Sequence, residues 1–375
     1  MSRINSIETY VGGRVCVVHV TTDDGLEGWG QTAPAQPDIS AHVLHNLVAG
    51  NFLGQDPWEL GVLVDRCIRA EYKYLGSFLF RALSGVDTAI WDLQGKATGQ
   101  PVFKLLGGRA RRRIPVYASS MSRETDPEPE VERLRRLIDE YGFQGGKIKI
   151  GARNGRDAEV FQGRTRELVP LAREVLGDGV ELAADANGAY SPGQAVRVGR
   201  FLEDHGFYHL EEPCPSWELD NIGYVADHLD LPIGAGEQEF SMEIIRRMVA
   251  ERLVDVIQPD VCYMGGMTRA RKVADMADIA GIPCTPHSSN RSMVQIFTAH
   301  LVTASPACVQ FQEWSIEDQE QDAQIYAPIP VVRGGAIELD DSPGWGVSIL
   351  DSFLEGATRQ VSSIDRAGVR IAGAP

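Results

Sequence analysis

Glu181-Leu-Ala-Ala-Asp185-Ala-Asn187-Gly188, Phe207-Tyr-His-Leu-Glu211-Glu212-Pro213 and Pro232-Ile-Gly-Ala-Gly-Glu237 are built alike. Each is a short apolar run closed by an acidic residue: Asp185, Glu211 and Glu237. The intervals between them are one strand plus one helix, the repeat of a (β/α)8 barrel, in which the C-terminal ends of all strands meet on one face. Three carboxylates delivered there by consecutive strands would converge on a hard divalent cation. That pattern points to catalysis rather than to a passive scaffold.

The same period extends in both directions. Strands are expected at Ile114–Ala118, Lys147–Ile150, 181–185, 207–211, 232–236, 254–258, 282–286 and 308–312. Helices are expected between them, at 131–141, 157–176, after Ser191, 241–251, 267–280 and 291–303. Eight strands alternating with helices argue for a parallel barrel rather than an open sheet. Ser191-Pro192-Gly193-Gln194 reads as an N-cap, a first-turn proline and a capping-box partner, and Gly142 as a helix stop. Upstream, residues 3–11 and 14–21 read as a hairpin around Gly12-Gly13. A Gly- and Pro-rich loop is expected from Gly25, then helices near 40–50, 57–70 and 78–98. Beyond about 326 the repeat is lost; Gly334-Gly335 and Ser342-Pro343-Gly344-Trp345 precede a short helix near 349–355. The expected division is an α+β unit over 1–112, a barrel over 113–325 and a tail over 326–375 that folds back on the first unit.

Reading the residue at each strand end assembles one chemical site. The second strand gives Lys147 and Lys149, which alternation points to one side. The next three give Asp185, Glu211 and Glu237, and the last three give Asp260, His287 and Glu313. Oxygen-only ligands favour Mg2+ over Zn2+. A substrate carboxylate neutralised by such an ion loses its neighbouring C–H proton more easily, because the enediolate is stabilised. A lysine desolvated beside a second lysine is a candidate base, and a histidine oriented by an aspartate a candidate base or acid. Glu313, if protonated, could donate to the enediolate. Taken singly, each of these residues has a plain structural reading as a cap, a turn or a polar face; their joint order along successive strands does not. Asn187 is a candidate ligand or turn residue, Glu212 a supporting carboxylate or ion-pair partner, and Cys214 structural.

Composition limits the alternatives. The chain has 375 residues, against about 250 for a barrel, and its 43% hydrophobic content is ample for a large core. A net charge of −16 argues against nucleic acid or anionic membrane as a partner. The six cysteines form no C-x-x-C pair and are expected to be reduced and buried. Neither a signal peptide nor an apolar run of membrane-spanning length is read, so the expected location is cytoplasmic.

These signatures resemble the enolase superfamily, and within it the mandelate racemase subgroup. The resemblance rests on Lys-x-Lys, Asp-x-Asn, Glu-Glu-Pro, Gly-Glu, Gln-Pro-Asp and Pro-His, with Ala82-Leu-Ser-Gly85-Val-Asp87-Thr-Ala-Ile-Trp91-Asp92-Leu-Gln-Gly95-Lys96 as the capping-domain helix. It implies a modified (β/α)7β TIM barrel under an α+β capping domain formed by the N-terminal segment and the C-terminal tail. It implies Mg2+ on Asp185, Glu211 and Glu237; Lys149 as one acid/base group with Lys147 as its neighbour; His287–Asp260 as the other; and Glu313 as enolate stabiliser. Cap loops near 22–36 and near 50–56 or 71–77 would close over the substrate, with Tyr72 and Tyr74 as candidate contacts. Dimers or octamers are expected. Most such proteins look like acid-sugar dehydratases, so the expected substrate is an acid sugar, converted to a 2-keto-3-deoxy acid. Racemisation or epimerisation of a 2-hydroxy acid, cycloisomerisation, and a non-catalytic metal-binding barrel are the alternatives. One departure stands out: many relatives carry Gly-Trp-Gly-Glu where this chain has Gly28-Trp29-Gly30-Gln31, which bears on loop charge and substrate preference.

Overall fold

The computed structural model describes residues 2–317, 325–365 and 368–372. It begins with strands β1 (Ile4–Gly12) and β2 (Val15–Thr22), paired antiparallel across a turn in which Gly13 has φ 56°. The expected loop after Gly25 is instead strand β3 (Glu27–Gln31), antiparallel to β2. Its glycines serve contact, not turning. A Cβ on Gly28 would lie 2.1 Å from Ala89 O, and one on Gly30 2.4 Å from Ala89 N. Then come helices α1 (Pro37–Val43), α2 (Ala49–Phe52), α3 (Leu60–Ala70), α4 (Ser77–Thr98) and α5 (Val102–Leu105). The long α4 lies across β3 and β2. Alternation along β2 sends Cys16, Val18 and Val20 into the core of this unit, while Val15 and Val17 join the barrel's core.

The barrel follows as β4 (Arg113–Ser119), α6 (Pro127–Tyr141), β5 (Gly145–Lys149), α7 (Arg164–Leu176), β6 (Glu181–Asp185), α8 (Pro192–Asp204) and β7 (His209–Glu211). It continues through α9 (Leu219–Ala226), β8 (Ile233–Ala235), α10 (Met242–Ala250), β9 (Val256–Ile257), α11 (Met267–Ala280), α12 (Met293–Ala304) and β10 (Gln312–Ser315). These strands pair in parallel in the order β10-β4-β5-β6-β7-β8-β9. The strand expected at 282–286 is reduced to a single bridge, Cys284 to Ile257. Pro283 and Pro286 flank it and lack the N–H a ladder needs. This is the (β/α)7β arrangement with its seventh strand nearly lost. β10 begins four residues later than expected, because Cys308 and Val309 are still turning back on Ser305 and Ala307.

Two helix starts also differ. α7 begins at Arg164 rather than 157, after a stretch in which Asn154, Arg156 and Asp157 have positive φ. Ser191 is the N-cap of α8 with Pro192 in the first turn, but its hydroxyl donates to Asp157 Oδ2 at 2.8 Å and no capping box forms. Gly142 ends α6 in the left-handed conformation, as expected.

The tail touches both units. β11 (Tyr326–Ala327) pairs with β13 (Ser348–Ile349), and β12 (Ala336–Glu338) lies antiparallel on β4. After α13 (Asp351–Gly356), β14 (Thr358–Asp365) pairs with β1 and β15 (Gly368–Ala372) with β14. The capping sheet is therefore β15-β14-β1-β2-β3. Asp92 of α4 ties the layers together: it accepts from Trp29 N (2.8 Å) and Trp345 N (2.9 Å) and pairs with Lys96 (2.7 Å).

Candidate active site

Ladder register places the first group of site residues. Lys149 stands opposite Asp185, and Asp185 opposite Glu211, across β5, β6 and β7. All three close their strands at the C-terminal face. Lys149 Nζ is bonded to Asp185 Oδ2 and donates to Asn187 Oδ1 at 3.2 Å. Lys147, one layer below, donates to Glu211 Oε2 (2.9 Å) and Glu313 Oε1 (2.7 Å). Asn187 turns back with φ 41°, so that its N–H reaches Asp185 Oδ1 at 2.8 Å and its amide reaches Glu212 at 3.0 Å.

The second group sits at the far side of the carboxylates. His287 Nδ1 is 2.7 Å from Asp260 Oδ2, and its Nε2 is 3.4 Å from Glu237 and 4.0 Å from Glu313. Asp260 is held by the N–H groups of Cys262 (2.7 Å) and Tyr263 (2.9 Å). Lys147, Lys149, Asp185, Glu211, Glu212, Glu237, Asp260, His287 and Glu313 are all buried.

Burial of so many charges in contact displaces their ionisation. Burial alone would raise Asp185, but Lys149, Lys147 and Arg123 hold it well below the usual carboxylate range. Burial, then Asp185, pushes Glu211 up to about 8 against the pull of Lys147. Burial and the neighbouring Glu237 and Asp185 push Glu212 well up. Burial would lower His287, yet Glu237, Asp260 and Glu313 hold it well above an ordinary imidazole. Lys147 is likewise held high by Glu211 and Glu313 despite burial. Lys147 is thereby held as a cation between Glu211 and Glu313. Glu313 is opposed by burial but kept low by Lys147 and His287. It accepts from Ser119 Oγ (2.8 Å), Lys147 and Ser288 N (2.7 Å). In this arrangement it is an acceptor that anchors Lys147.

The carboxylates fit a hard divalent cation by chemistry. Their donors are all oxygen. Burial, with the charge of the neighbouring carboxylates, raises Glu211 and Glu212, and Glu212 Oε1 is buried without a partner. Among the described residues, no three acidic, histidine or cysteine side chains close on one point. Each of the three instead faces a protein cation, Asp185 on Lys149, Glu211 on Lys147 and Glu237 on His287. Holding an ion would require them to turn inward.

Tyr72 and Tyr74 are not brought to this cluster. Both are more than 60% exposed on a short turn before α4. Gln31 is buried rather than on a mobile loop: its amide donates to Ser292 Oγ (2.9 Å) and accepts from Met293 N (3.2 Å), which locks the cap to the start of α12. Two arginines went unnoticed in the sequence. Arg123 donates to Asp185 O (3.2 Å) and Gly151 O (3.2 Å), and Arg164 to Lys149 O (2.7 Å). A buried arginine in the first turn of α7, where the dipole favours acidic residues, was the available signal for Arg164. Burial pushes the Cys214 thiol up to about 12, and all six cysteines are free and buried. A separate cleft of about 420 Å3 opens at the other end of the barrel, near Arg113, His300, Arg333 and Trp345, and includes none of the site residues.

Residues 4–107 match the mandelate racemase / muconate lactonizing enzyme N-terminal domain, and residues 130–352 the enolase C-terminal domain-like family. The chain belongs to the mandelate racemase/muconate lactonizing enzyme family of the enolase superfamily. Within this superfamily, the chain is 29% identical to arabinonate dehydratase of Saccharolobus solfataricus, over 91% of this chain and 90% of that one. It is 28% identical to D-galactarolactone cycloisomerase of Agrobacterium fabrum, over 89% and 88%. Among solved structures, a candidate racemase of Roseobacter denitrificans superposes with a TM-score of 0.94 at 44% identity, covering 96% of this chain and all of that one. A mandelate racemase/muconate lactonizing protein of Paracoccus denitrificans, complexed with magnesium, gives 0.89 at 28% identity, covering 97% and 99%. No helix among the described residues is long and apolar enough to cross a membrane.

Proposed function

We propose that this chain is a hydro-lyase that dehydrates an acid sugar to a 2-keto-3-deoxy acid. The observation that carries the reading is the pair of proton-handling groups flanking one carboxylate cluster, Lys149 against Asp185 and His287 against Glu237. The relatives named as dehydratases of arabinonate, gluconate and galactonate support the substrate class.

Asp185, Glu211 and Glu237 would hold Mg2+, which when bound neutralises the substrate carboxylate and the enediolate derived from it. Lys149 Nζ removes the proton on C2. Lys147 stays charged on Glu211 and Glu313 and fixes their position. Asp260 accepts from Nδ1–H of His287, leaving Nε2 as the end that gives a proton to the departing C3 hydroxyl. The resulting enol becomes the 2-keto acid. In this reading residues 113–325 carry the chemistry, while 1–112 and 326–375 cover it.

Racemisation is the second reading. It needs the same two flanking groups, and the 44% identical Roseobacter protein is a candidate racemase. A library of acid sugars incubated with Mg2+ and scored with semicarbazide for 2-keto acids separates the two. Keto acid from one substrate class supports dehydration. Deuterium entering C2 without keto product moves the assignment to racemase, and neither result from any acid rejects both.

A further inference from the structure

On the proposed reading, the site so far engages one end of its substrate. With C1 at the carboxylate cluster and C2 beside Lys149, the remaining carbons extend past His287. The side chain next to His287 is Tyr263, whose ring centroid lies 5.7 Å from the imidazole and whose N–H donates to the same Asp260 that orients it. Over the Tyr263 ring sits a residue of the cap. The guanidinium carbon of Arg81 is 3.5 Å from the ring centroid.

Arg81 is anchored but not neutralised. Its Nε donates to Ser77 Oγ at 2.7 Å, and its main-chain carbonyl takes Ala33 N and Ser84 Oγ. No carboxylate pairs with it among the described residues. The site acids on this flank, Glu237 and Asp260, are engaged by His287, Gln238 and the Cys262 and Tyr263 amides, and Asp87 of the cap accepts from Thr268 N rather than from Arg81. Of the other basic groups around the cluster, Lys147 and Lys149 have carboxylates, while Arg123 and Arg164 are tied to main-chain carbonyls and keep only a fully buried nitrogen each, Nη1 and Nη2, without a partner. A half-buried guanidinium with its face on an aromatic ring and its terminal N–H edge uncommitted is unusual in a chain of net charge −16. That edge is a planar fork that matches a carboxylate in two parallel hydrogen bonds.

We infer that Arg81 receives the distal carboxylate of the substrate, so the preferred acid sugar is a diacid, an aldarate rather than an aldonate. The inference rests on the acid-sugar reading, and binding separates the two.

The test is the dissociation constant of an aldarate and of the aldonate of equal length, measured by calorimetry with Mg2+ for wild type, Arg81→Gln and Arg81→Lys, alongside keto-acid release. Wild type is expected to favour the diacid by about ten- to hundredfold, the range of a charged hydrogen-bonded pair. Arg81→Gln should bring that ratio near one, and Arg81→Lys should restore part of it. An aldonate preference in wild type overturns the inference. So does an equal loss for both acids in Arg81→Gln, which would mark Arg81 as a prop for Tyr263. Arg81-dependent diacid binding without keto acid would uphold the subsite and reject the dehydratase.

Discussion

The two flanks of the site are built differently. On the lysine flank, Lys149, Asp185 and Glu211 stand side by side in a regular parallel ladder. Arg164 and Arg123 brace that ladder from behind through Lys149 O and Asp185 O. On the histidine flank the ladder is nearly gone: β9 has two residues, and Cys284 contributes one bridge. Pro259, Pro283 and Pro286 cannot donate to it. His287 is placed by its own N–H on Pro259 O (3.1 Å) and by Asp260, which gathers two further amides. Backbone pairing aims Lys149, and side-chain bonds within a loop aim His287. The histidine flank should therefore tolerate less change in its supporting residues.

The largest effects separate the chemical roles of the flanks. Lys149→Ala should lower turnover at least about a thousandfold, within the range of general base catalysis, and abolish deuterium entry at C2. His287→Asn should stop keto-acid release by a similar factor while C2 exchange persists. Equal loss of exchange in both variants would make the flanks interchangeable and favour racemisation.

The supports come next. Asp260→Ala removes the partner of His287 and the acceptor of two amides, and turnover should fall about a hundredfold, as for other residues that orient a catalytic side chain. Arg123→Met removes bonds to the main chain behind a ladder that also pairs on its own, and one of three positive charges acting on Asp185. About a tenfold loss is expected there, equivalent to about 1.4 kcal/mol. A larger loss for Arg123→Met than for Asp260→Ala would reverse the comparison.

The same contrast explains what the sequence made legible. Lys147, Lys149, Asp185 and Glu211 lie on or at the ends of regular strands, where alternation and period fix the direction of each side chain. Asp260 and His287 were found through their spacing, but the strand drawn around 282–286 was wrong because two prolines outweighed the apolar run. Glu313 was placed just past a strand and lies within it. Gly28 and Gly30 were read as loop formers, although their role is to admit α4, a tertiary contact that composition does not encode. Gln31 carried an expectation about a mobile loop that its bonds to Ser292 and Met293 remove. Arg81, Arg123 and Arg164 act through partners distant in sequence, and nothing local marks them apart from the odd position of Arg164.

A smaller effect lies where the cap meets the histidine flank. Asp87 of α4 accepts from Thr268 N at 3.2 Å, close against Gly266, while its Oδ2 is buried without a partner. Burial pushes Asp87 up to about 7, above the roughly 3.9 of an unfolded aspartate. A raised carboxyl stabilises the fold fully below the unfolded value and loses that contribution as pH rises through the folded one. Asp87→Asn keeps the acceptor and removes the ionisation. Its unfolding free energy, from denaturant melts, should match wild type near pH 4 and exceed it above pH 7, by on the order of 4 kcal/mol. A constant difference at all pH values would show that the ionisation of Asp87 is not coupled to folding.

The smallest effect is expected at Tyr72 and Tyr74. Family resemblance made them candidate substrate contacts, but the two residues are 64% and 62% exposed on the turn Tyr72–Tyr74. Lys73 lies 5.7 Å from the Tyr72 ring, and the hydrogen bonds of the carboxylate cluster run to other residues. Exposed side chains away from such networks change stability by about 0.5 kcal/mol or less when replaced. Tyr72→Ala and Tyr74→Ala should each leave kcat/KM within about twofold of wild type and the melting curve unchanged. If either raised KM by tenfold or more with kcat preserved, the turn would have to close over bound substrate. The cap would then contribute to the site through motion as well as through the fixed contact of Arg81 with Tyr263.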